Sequence, residues 1–238
     1  MSENNIIVVD GLKKSYGRHL VLDDISFTLP KGEIIGLFGP NGCGKSTLMK
    51  ILTGLIHDYS GSVTINGEKP GEKTKAITAY LPEQTFVHSW MRNIDAVNYF
   101  NDFFSDFDKE KALDMIERFG LKLKQKSKTM SKGQQEKLLL SLTMSRNADL
   151  YILDEPMGGV DPATRSQILD FIMKNYAGNS TLLISTHLIN DLEDVFTHAV
   201  FLGNGKILLN DNVNNILHDG KSIEDLFKEV FNNVWQTS

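Results

Sequence analysis

Apolar positions recur along the chain with two periods. Ile25, Phe27 and Leu29 alternate with polar neighbours, the period of a half-buried strand. Ile6–Val9 and Ile34-Ile35-Gly36-Leu37-Phe38 are short unbroken apolar runs, the length of buried strands, and Pro30-Lys31-Gly32 makes a turn before the second. From Lys45 to Leu55 the spacing of Leu48, Met49, Ile51, Leu52 and Leu55 is helical. Ser62–Ile65 and Ala76–Leu81 read as two further strands. From about Thr85 to Arg146 the helical period takes over and predicts helices over Ile94–Phe103, Asp108–Phe119 and Ser131–Met144, with Asp108 as an N-cap. Strands and helices then alternate again. Tyr151-Ile152-Leu153 is a strand, Pro162–Tyr176 a helix with proline near its start, and Thr181–Ser185 a strand. Ala199–Leu202 and Lys206–Leu209 flank Gly203-Asn204-Gly205, a hairpin signal. Ile223, Leu226, Phe227, Val230, Phe231 and Val234 form the apolar stripe of a last amphipathic helix. The pattern predicts an α/β core with a mainly parallel sheet and a helical lobe inserted near the middle.

Composition narrows the classes of function. The 238 residues suit one domain, or one domain with a small lobe, and 41% hydrophobic with 23% charged residues exclude wholesale disorder. A net charge of −5 argues against a broadly basic nucleic-acid binder. The single cysteine, Cys43, excludes a disulfide framework and fits a reducing compartment. No apolar run reaches the roughly 18–20 residues of a membrane span. The first residues lack the basic-then-apolar order of a secretion signal. Action at a membrane would therefore need another chain to cross it.

Gly39-Pro40-Asn41-Gly42-Cys43-Gly44-Lys45-Ser46-Thr47 fits G-x-x-x-x-G-K-[ST], with an apolar strand before it and a helix after it. Its glycines let the backbone curl so that N–H groups converge on phosphate oxygens, and the helix beginning at Lys45 adds its positive end. Lys45 supplies a charge for the β- and γ-phosphates, and the Ser46 hydroxyl can ligate Mg²⁺. A plain strand-to-helix turn can show the same residues, but the strand–loop–helix context opposes that reading. Cys43 fills a free position of the loop and reads as a small tolerated residue.

Asp149-Leu150-Tyr151-Ile152-Leu153-Asp154-Glu155-Pro156 is an apolar strand ending in two acids. Adjacent carboxylates at a buried strand end need a compensating cation or substrate. Alternation sends the two side chains different ways, so Asp154 can stand behind magnesium while Glu155 polarises a water for attack on the γ-phosphate. His187 follows the strand Leu182–Ser185 at the same sheet end, within reach of a γ-phosphate.

Taken in order, these motifs resemble the nucleotide-binding subunits of ABC transporters over nearly the whole chain. Met130-Ser131-Lys132-Gly133-Gln134 is similar to the signature motif that sets this family apart from other phosphate-loop ATPases. The resemblance implies a phosphate-loop ATPase core with a mainly parallel sheet, an N-terminal antiparallel β-subdomain and an inserted helical subdomain. The core would comprise 1–84 and 147–210, the helical signature subdomain 85–146, and a helical tail 211–238. It implies that Tyr16 stacks on adenine, that Asp154 supports magnesium, that Glu155 is the base and that His187 is the switch histidine. Ser131, Gly133 and Gln134 would close on the nucleotide held by a partner subunit. Gly158-Gly159-Val160-Asp161 resembles the loop joining two sites across the dimer. The position usually held by glutamine after strand Ala76–Leu81 falls on Glu83, with Gln84 next; Glu83 would reach magnesium through water. Lys132 and Met130 replace the usual glycine and leucine, and Lys132 either adds charge near the partner's nucleotide or is simply solvated.

The implied protein is a Mg²⁺-dependent ATPase that dimerises on ATP, as a homodimer or with a similar subunit, and drives a separate integral membrane permease from the cytoplasmic face. No nucleic-acid partner is implied. Tyr80-Leu81-Pro82-Glu83, Ser131–Lys137 and Pro156–Asp161, with a short tail, look most like bacterial exporters of the antibiotic-response kind. The competing class is a non-transport ABC ATPase acting on a ribosome, DNA or cell-division machinery; those relatives carry a second domain or coiled-coil insertions. A phosphate-loop kinase is opposed by the signature and the Asp154-Glu155 pair. Between Phe86 and Phe107 lie Phe86, Trp90, Tyr99, Phe100, Phe103, Phe104 and Phe107. Such a cluster is either the lobe's own core or a groove for a short helix of a membrane subunit. Lys122, Lys124, Lys126 and Lys128 read as a solvated edge.

Overall fold

A computed structural model describes residues 4–83, 85–158, 160–176, 180–187, 189, 193–217 and 221–236, with the side chains of 175 and 233–236 excluded. Gln84, Gly159 and the Val234 side chain thus lie outside the described residues. The chain divides into two compact units, one made of Met1–Lys75 and Thr181–Ser238, the other of Ala76–Ser180.

The first unit opens with β1 (Asn5–Tyr16) and β2 (His19–Pro30), paired antiparallel from Asn5↔Pro30 to Tyr16↔His19. Gly17, at φ 60, makes the tight turn between them. After β3 (Ile34–Phe38) and α1 (Lys45–Leu52), β4 (Ser60–Ile65) joins the other edge of β1, giving the order β2-β1-β4. Register shifts between Val9 and Ser15 mark bulges in β1. This is the antiparallel N-terminal sheet. The second sheet of the unit runs β7-β3-β8-β9, with β7 (Thr181–Ser185) and β8 (His198–Gly203) parallel to β3 and β9 (Lys206–Asn212) returning antiparallel. All residues of β3, β7 and β8 are buried. That explains why they read as unbroken apolar runs rather than alternating ones. The helices α7 (Val213–Ile216) and α8 (Ile223–Gln236) follow, and α8 stacks Phe227 and Phe231 on Phe201 of β8 at centroid distances of 5.7 and 6.3 Å.

The short helix α2 (Glu72–Ala76) lies where a strand start was expected. Thr74 donates its hydroxyl to the Gly71 carbonyl and accepts the Gly71 N–H, closing a turn that keeps Ala76 helical; β5 is only Thr78–Leu81. In the second unit β5 pairs parallel with β6 (Leu150–Asp154). The helices are α3 (Asn93–Phe103), α4 (Lys109–Arg118), α5 (Lys132–Met144) and α6 (Pro162–Asn175). Asp108 caps α4 by accepting the Lys111 N–H at 2.9 Å.

Arg146 organises this unit. Its guanidinium, 4% exposed, pairs with Asp106 at 2.5 Å, donates to the Ala76 carbonyl at 3.0 Å and lies 3.9 Å from the Phe104 ring centroid. The phenol of buried Tyr151 donates to the Arg146 carbonyl at 2.6 Å.

Candidate functional site

The first unit builds the phosphate loop. β3 ends at Phe38 and the chain curls through residues 39–44 into α1. Gly44 is the N-cap of α1 at φ 111, and no side chain caps this helix. The first N–H groups of α1 are thus left to a ligand or to water. By contrast, Ser131 and Asp161 cap α5 and α6. Two loop glycines pack closely against neighbouring strands. A Cβ on Gly39 would lie 2.2 Å from the Leu202 carbonyl oxygen, and one on Gly44 would lie 2.8 Å from Leu22 Cδ2. Lys45 is buried and folds back so that Nζ donates to the Gly39 and Pro40 carbonyls at 2.7 and 3.3 Å. Ser46 and Thr47 are half-buried on the first turn. Cys43 packs inward, and burial raises its thiol pKa, so it behaves as filler.

His187 is exposed at the end of β7. It lines a cavity of about 320 Å³ with Gly39, Pro40, Asn41, Thr186 and Ile189. The structure therefore brings His187 to the start of the phosphate loop. Sequence reasoning missed that Phe227, Lys228, Phe231 and Asn232 of α8 form the opposite wall. The amphipathic stripe of α8 was visible; the surface it covers was not.

Tyr16, half exposed, ends β1. The Lys14 ammonium stands over its ring, 4.6 Å from the centroid. Lys14 stands in the Lys13–Gly17 stretch around Tyr16, but only the fold reveals its contact with the ring.

The second unit holds the acids and the signature. Asp154, 2% exposed, is the last residue of β6. Glu155 follows at φ 50, a left-handed conformation a glutamate adopts only under constraint from its surroundings. The Tyr80 phenol is pushed well above its ordinary range by burial first, then by the charges of Asp154 and Glu83. Among the described residues no group of three or more His, Cys, Asp or Glu side chains converges as a metal site. Glu83 itself is exposed.

Ser131 starts α5 with a capping box. Its hydroxyl accepts the Gln134 N–H at 3.3 Å, and Gln134 Oε1 accepts the Ser131 N–H at 3.0 Å. Gln134 is thus committed to shaping the turn. Gly133 faces Val160, where a Cβ would sit in ordinary contact at 3.4 Å from Cγ1. Lys132 is solvated and lies 3.9 Å from Glu136. Asp161 caps α6, accepting from the Thr164 N–H at 3.0 Å and its hydroxyl at 2.7 Å, which lowers its carboxyl pKa.

The aromatic cluster splits in two. Phe100 is buried and stacks with Phe86, Phe104 and Phe107 at 5.5, 5.2 and 5.6 Å. Trp90, Tyr99 and Phe103 are 65%, 51% and 69% exposed. A cavity of about 230 Å³ is lined by Phe86, Val87, His88, Trp90, Met91, Ala96, Tyr99 and Phe100. The lobe has an aromatic core and also leaves an open apolar groove.

Comparisons with known proteins agree with this geometry. The profile described as ABC transporter matches residues 22–158. The chain is 33% identical over 230 residues to an uncharacterized ABC transporter ATP-binding protein of Methanocaldococcus jannaschii, covering 94% of this chain and 80% of that one. It is 30% identical over 225 residues to a lantibiotic transport ATP-binding protein of Streptococcus pyogenes, covering 93% and 96%. A linearmycin resistance ATP-binding protein of Bacillus subtilis is 26% identical over 211 residues, covering 85% and 68%. Among solved structures, an ATP-binding subunit of an ABC transporter superposes with a TM-score of 0.85 at 26% identity, covering 95% of this chain and 99% of that one.

Proposed function

The chain belongs to the ABC transporter family as an ATP-binding, ATP-hydrolysing subunit, and from that premise we propose a division of labour among its residues and a partner for it. The supporting observation is the uncapped N-terminus of α1 after a glycine loop that turns through φ 111 at Gly44, with Lys45 folded onto it. Such a cradle suits an oligophosphate.

Tyr16 stacks on adenine. The amides of residues 39–47 and the Lys45 ammonium hold the β- and γ-phosphates; Lys45 exchanges its carbonyl partners for phosphate oxygens. Ser46 and Asp154 would hold Mg²⁺, with Glu83 acting through water, and the ion would supply charge neutralisation for the transferring phosphoryl group. Glu155 accepts a proton from the attacking water as that water adds to the γ-phosphorus and ADP leaves. His187 donates to a γ-phosphate oxygen and steadies the charge on it. Ser131, Gly133 and Gln134 present the N-terminus of α5 to the γ-phosphate held by a second subunit, and Asp161 stands in the loop that joins the two sites. Two ATPs are thereby sandwiched between two such chains, either identical or similar. Closure on ATP and reopening after hydrolysis form the mechanical output.

The partner is an integral membrane permease, and the chain works as a peripheral subunit on the cytoplasmic face. No helix among the described residues is long and apolar enough to cross a membrane. The open groove at Phe86, Trp90 and Tyr99 receives a short helix of that permease. Export of an antibiotic-like or envelope-active compound is the direction favoured by the names of the lantibiotic and linearmycin relatives.

Glu155→Gln is expected to bind ATP, lose nearly all turnover and form a stable ATP-bound dimer. Affinity purification of this variant from native membranes with ATP, followed by mass spectrometry, is expected to recover one integral membrane protein. Recovery of ribosomal or other soluble partners would overturn the transport reading. Wild-type turnover would remove Glu155 from its role.

A further inference from the structure

Lys14 is a lysine where the fold calls for an apolar residue. It occupies an inward position of β1, two residues after buried Leu12 and two before Tyr16, and is itself only 2% exposed. Leu12 and Lys14 are both buried while Lys13 and Ser15 are exposed, and register shifts interrupt the pairing on either side of Lys14. A buried ammonium is costly unless paired. Here Nζ donates to Asp58 Oδ2 at 2.6 Å and to the Asp58 carbonyl at 2.8 Å. Asp58 stands just ahead of β4, its carboxylate 85% exposed and its pKa lowered by this hydrogen bond. The same ammonium lies 4.6 Å from the centroid of the Tyr16 ring. One cation is thus pinned by a carboxylate and a carbonyl on one side and applied to an aromatic face on the other.

We propose that Lys14 is a positioning residue for recognition of the purine base. Pinned by Asp58, it holds the Tyr16 ring in one orientation and withdraws π-density from it. The proposal rests on the reading of Tyr16 as the adenine platform. Two physical effects follow. A ring fixed before binding loses less side-chain freedom when a base stacks on it. A cation against one face makes the ring a poorer electron donor, which favours stacking of an electron-rich purine over it. A plain chain-anchoring ion pair would do neither. It would serve the hairpin alone and have no preference for the base over the phosphates.

The test compares ATP with inorganic tripolyphosphate, which uses the phosphate loop but has no base. Affinities for both are measured by calorimetry on the full chain and on Tyr16→Ala, Lys14→Met and Asp58→Asn variants. Tyr16→Ala is expected to weaken ATP about tenfold and leave tripolyphosphate unchanged. Lys14→Met is expected to weaken ATP about two- to fivefold, again with tripolyphosphate unchanged, and to add little in a Tyr16→Ala background. Asp58→Asn alters an exposed carboxylate, so it reports even where Lys14→Met fails to fold; a smaller loss for ATP alone is expected. If Tyr16→Ala leaves ATP affinity intact, the platform reading of Tyr16 fails. If Tyr16→Ala weakens ATP but Lys14→Met and Asp58→Asn do not, the positioning role is overturned. Equal losses for ATP and tripolyphosphate would also overturn it, in favour of a purely structural ion pair.

Discussion

Glu136 lies one turn into α5 with its Oε2 buried and without a hydrogen-bond partner. Burial raises its carboxyl from 4.5 to about 7, and the Lys132 ammonium at 3.9 Å only partly opposes this. The folded chain therefore binds more protons than the unfolded one between those two values. The stability this proton provides is fully present below the unfolded value and is lost as pH rises through about 7. Glu136→Gln removes the ionisation. It is expected to be more stable than wild type by about 1–3 kcal/mol at roughly pH 8, with the gap closing towards roughly pH 4; urea titrations at both pH values check this. Glu155 has a different constraint, its left-handed φ of 50. Asparagine tolerates that conformation better. Glu155→Asn should therefore match or exceed wild-type stability by about 0.5 kcal/mol while turnover collapses. A drop in melting temperature with turnover retained would contradict both halves. At this scale the phosphate-loop motif and the Asp154-Glu155 pair were legible as residue patterns because their spacing is local and contiguous. Lys14 and the φ of Glu155 were not. One depends on which way a bulged strand turns its side chains and the other on a backbone angle, and neither leaves a mark in residue order.

Helix starts decide what α1, α5 and α6 can do. The α5 cap depends on Ser131 accepting the Gln134 N–H. Ser131→Ala is expected to cost about 1 kcal/mol, a fall of about 2–4 °C in melting temperature for a chain of this size. Ser131→Asp separates the helix cap from the anion site. Aspartate caps as well as serine, so stability should return, yet its charge repels a phosphate and ATP-driven dimerisation should stay lost. Size-exclusion chromatography in the Glu155→Gln background reads that outcome. Arg146 ties Asp106, the Ala76 carbonyl and Phe104 together inside the second unit. Arg146→Met leaves Asp106 with a partly buried, uncompensated charge and should destabilise by about 3–5 kcal/mol, seen as a large shift in a urea midpoint. Most elements were legible because their apolar period is clean: β7 occupies the expected Thr181–Ser185, and α3, α5 and α6 differ from expectation by a residue at an end. The β1–β2 hairpin was seen only in fragments. Gly11 and Lys14 break the alternation across the bulges, and the turn at Gly17-Arg18 is not one of the strong hairpin pairs. α2 is too short to show a period.

The proposed coupling to a permease needs a contact surface on this chain, and its exposed aromatics suit one. A monomeric surface has little reason to leave Trp90 and Tyr99 more than half exposed around an apolar cavity, with Phe103 exposed beside Tyr99. Their neighbour Phe100 already fills the lobe's core, stacked between Phe86 and Phe104. Phe86 and Phe100 belong to both the core and the groove wall, while Trp90 and Tyr99 serve the groove alone. Phe100→Ala should unfold the lobe, costing about 3–5 kcal/mol. Trp90→Ala should leave folding within about 0.5 kcal/mol of wild type, as for a surface substitution. Because the groove lies apart in sequence from the phosphate loop, the carboxylates and the signature, the purified Trp90→Ala subunit should also keep its nucleotide affinity and basal hydrolysis. Its deficit should show only in the assembled transporter. A central aromatic anchor is worth at least about 2 kcal/mol at an interface, so recovery of the permease with the variant should fall by more than about tenfold. ATP hydrolysis should then persist without transport. Co-purification from membranes, with hydrolysis measured in the same preparation, separates the cases. A Trp90→Ala subunit that assembles and couples normally would place the docking surface elsewhere, and one that loses basal hydrolysis would make Trp90 part of the lobe's fold.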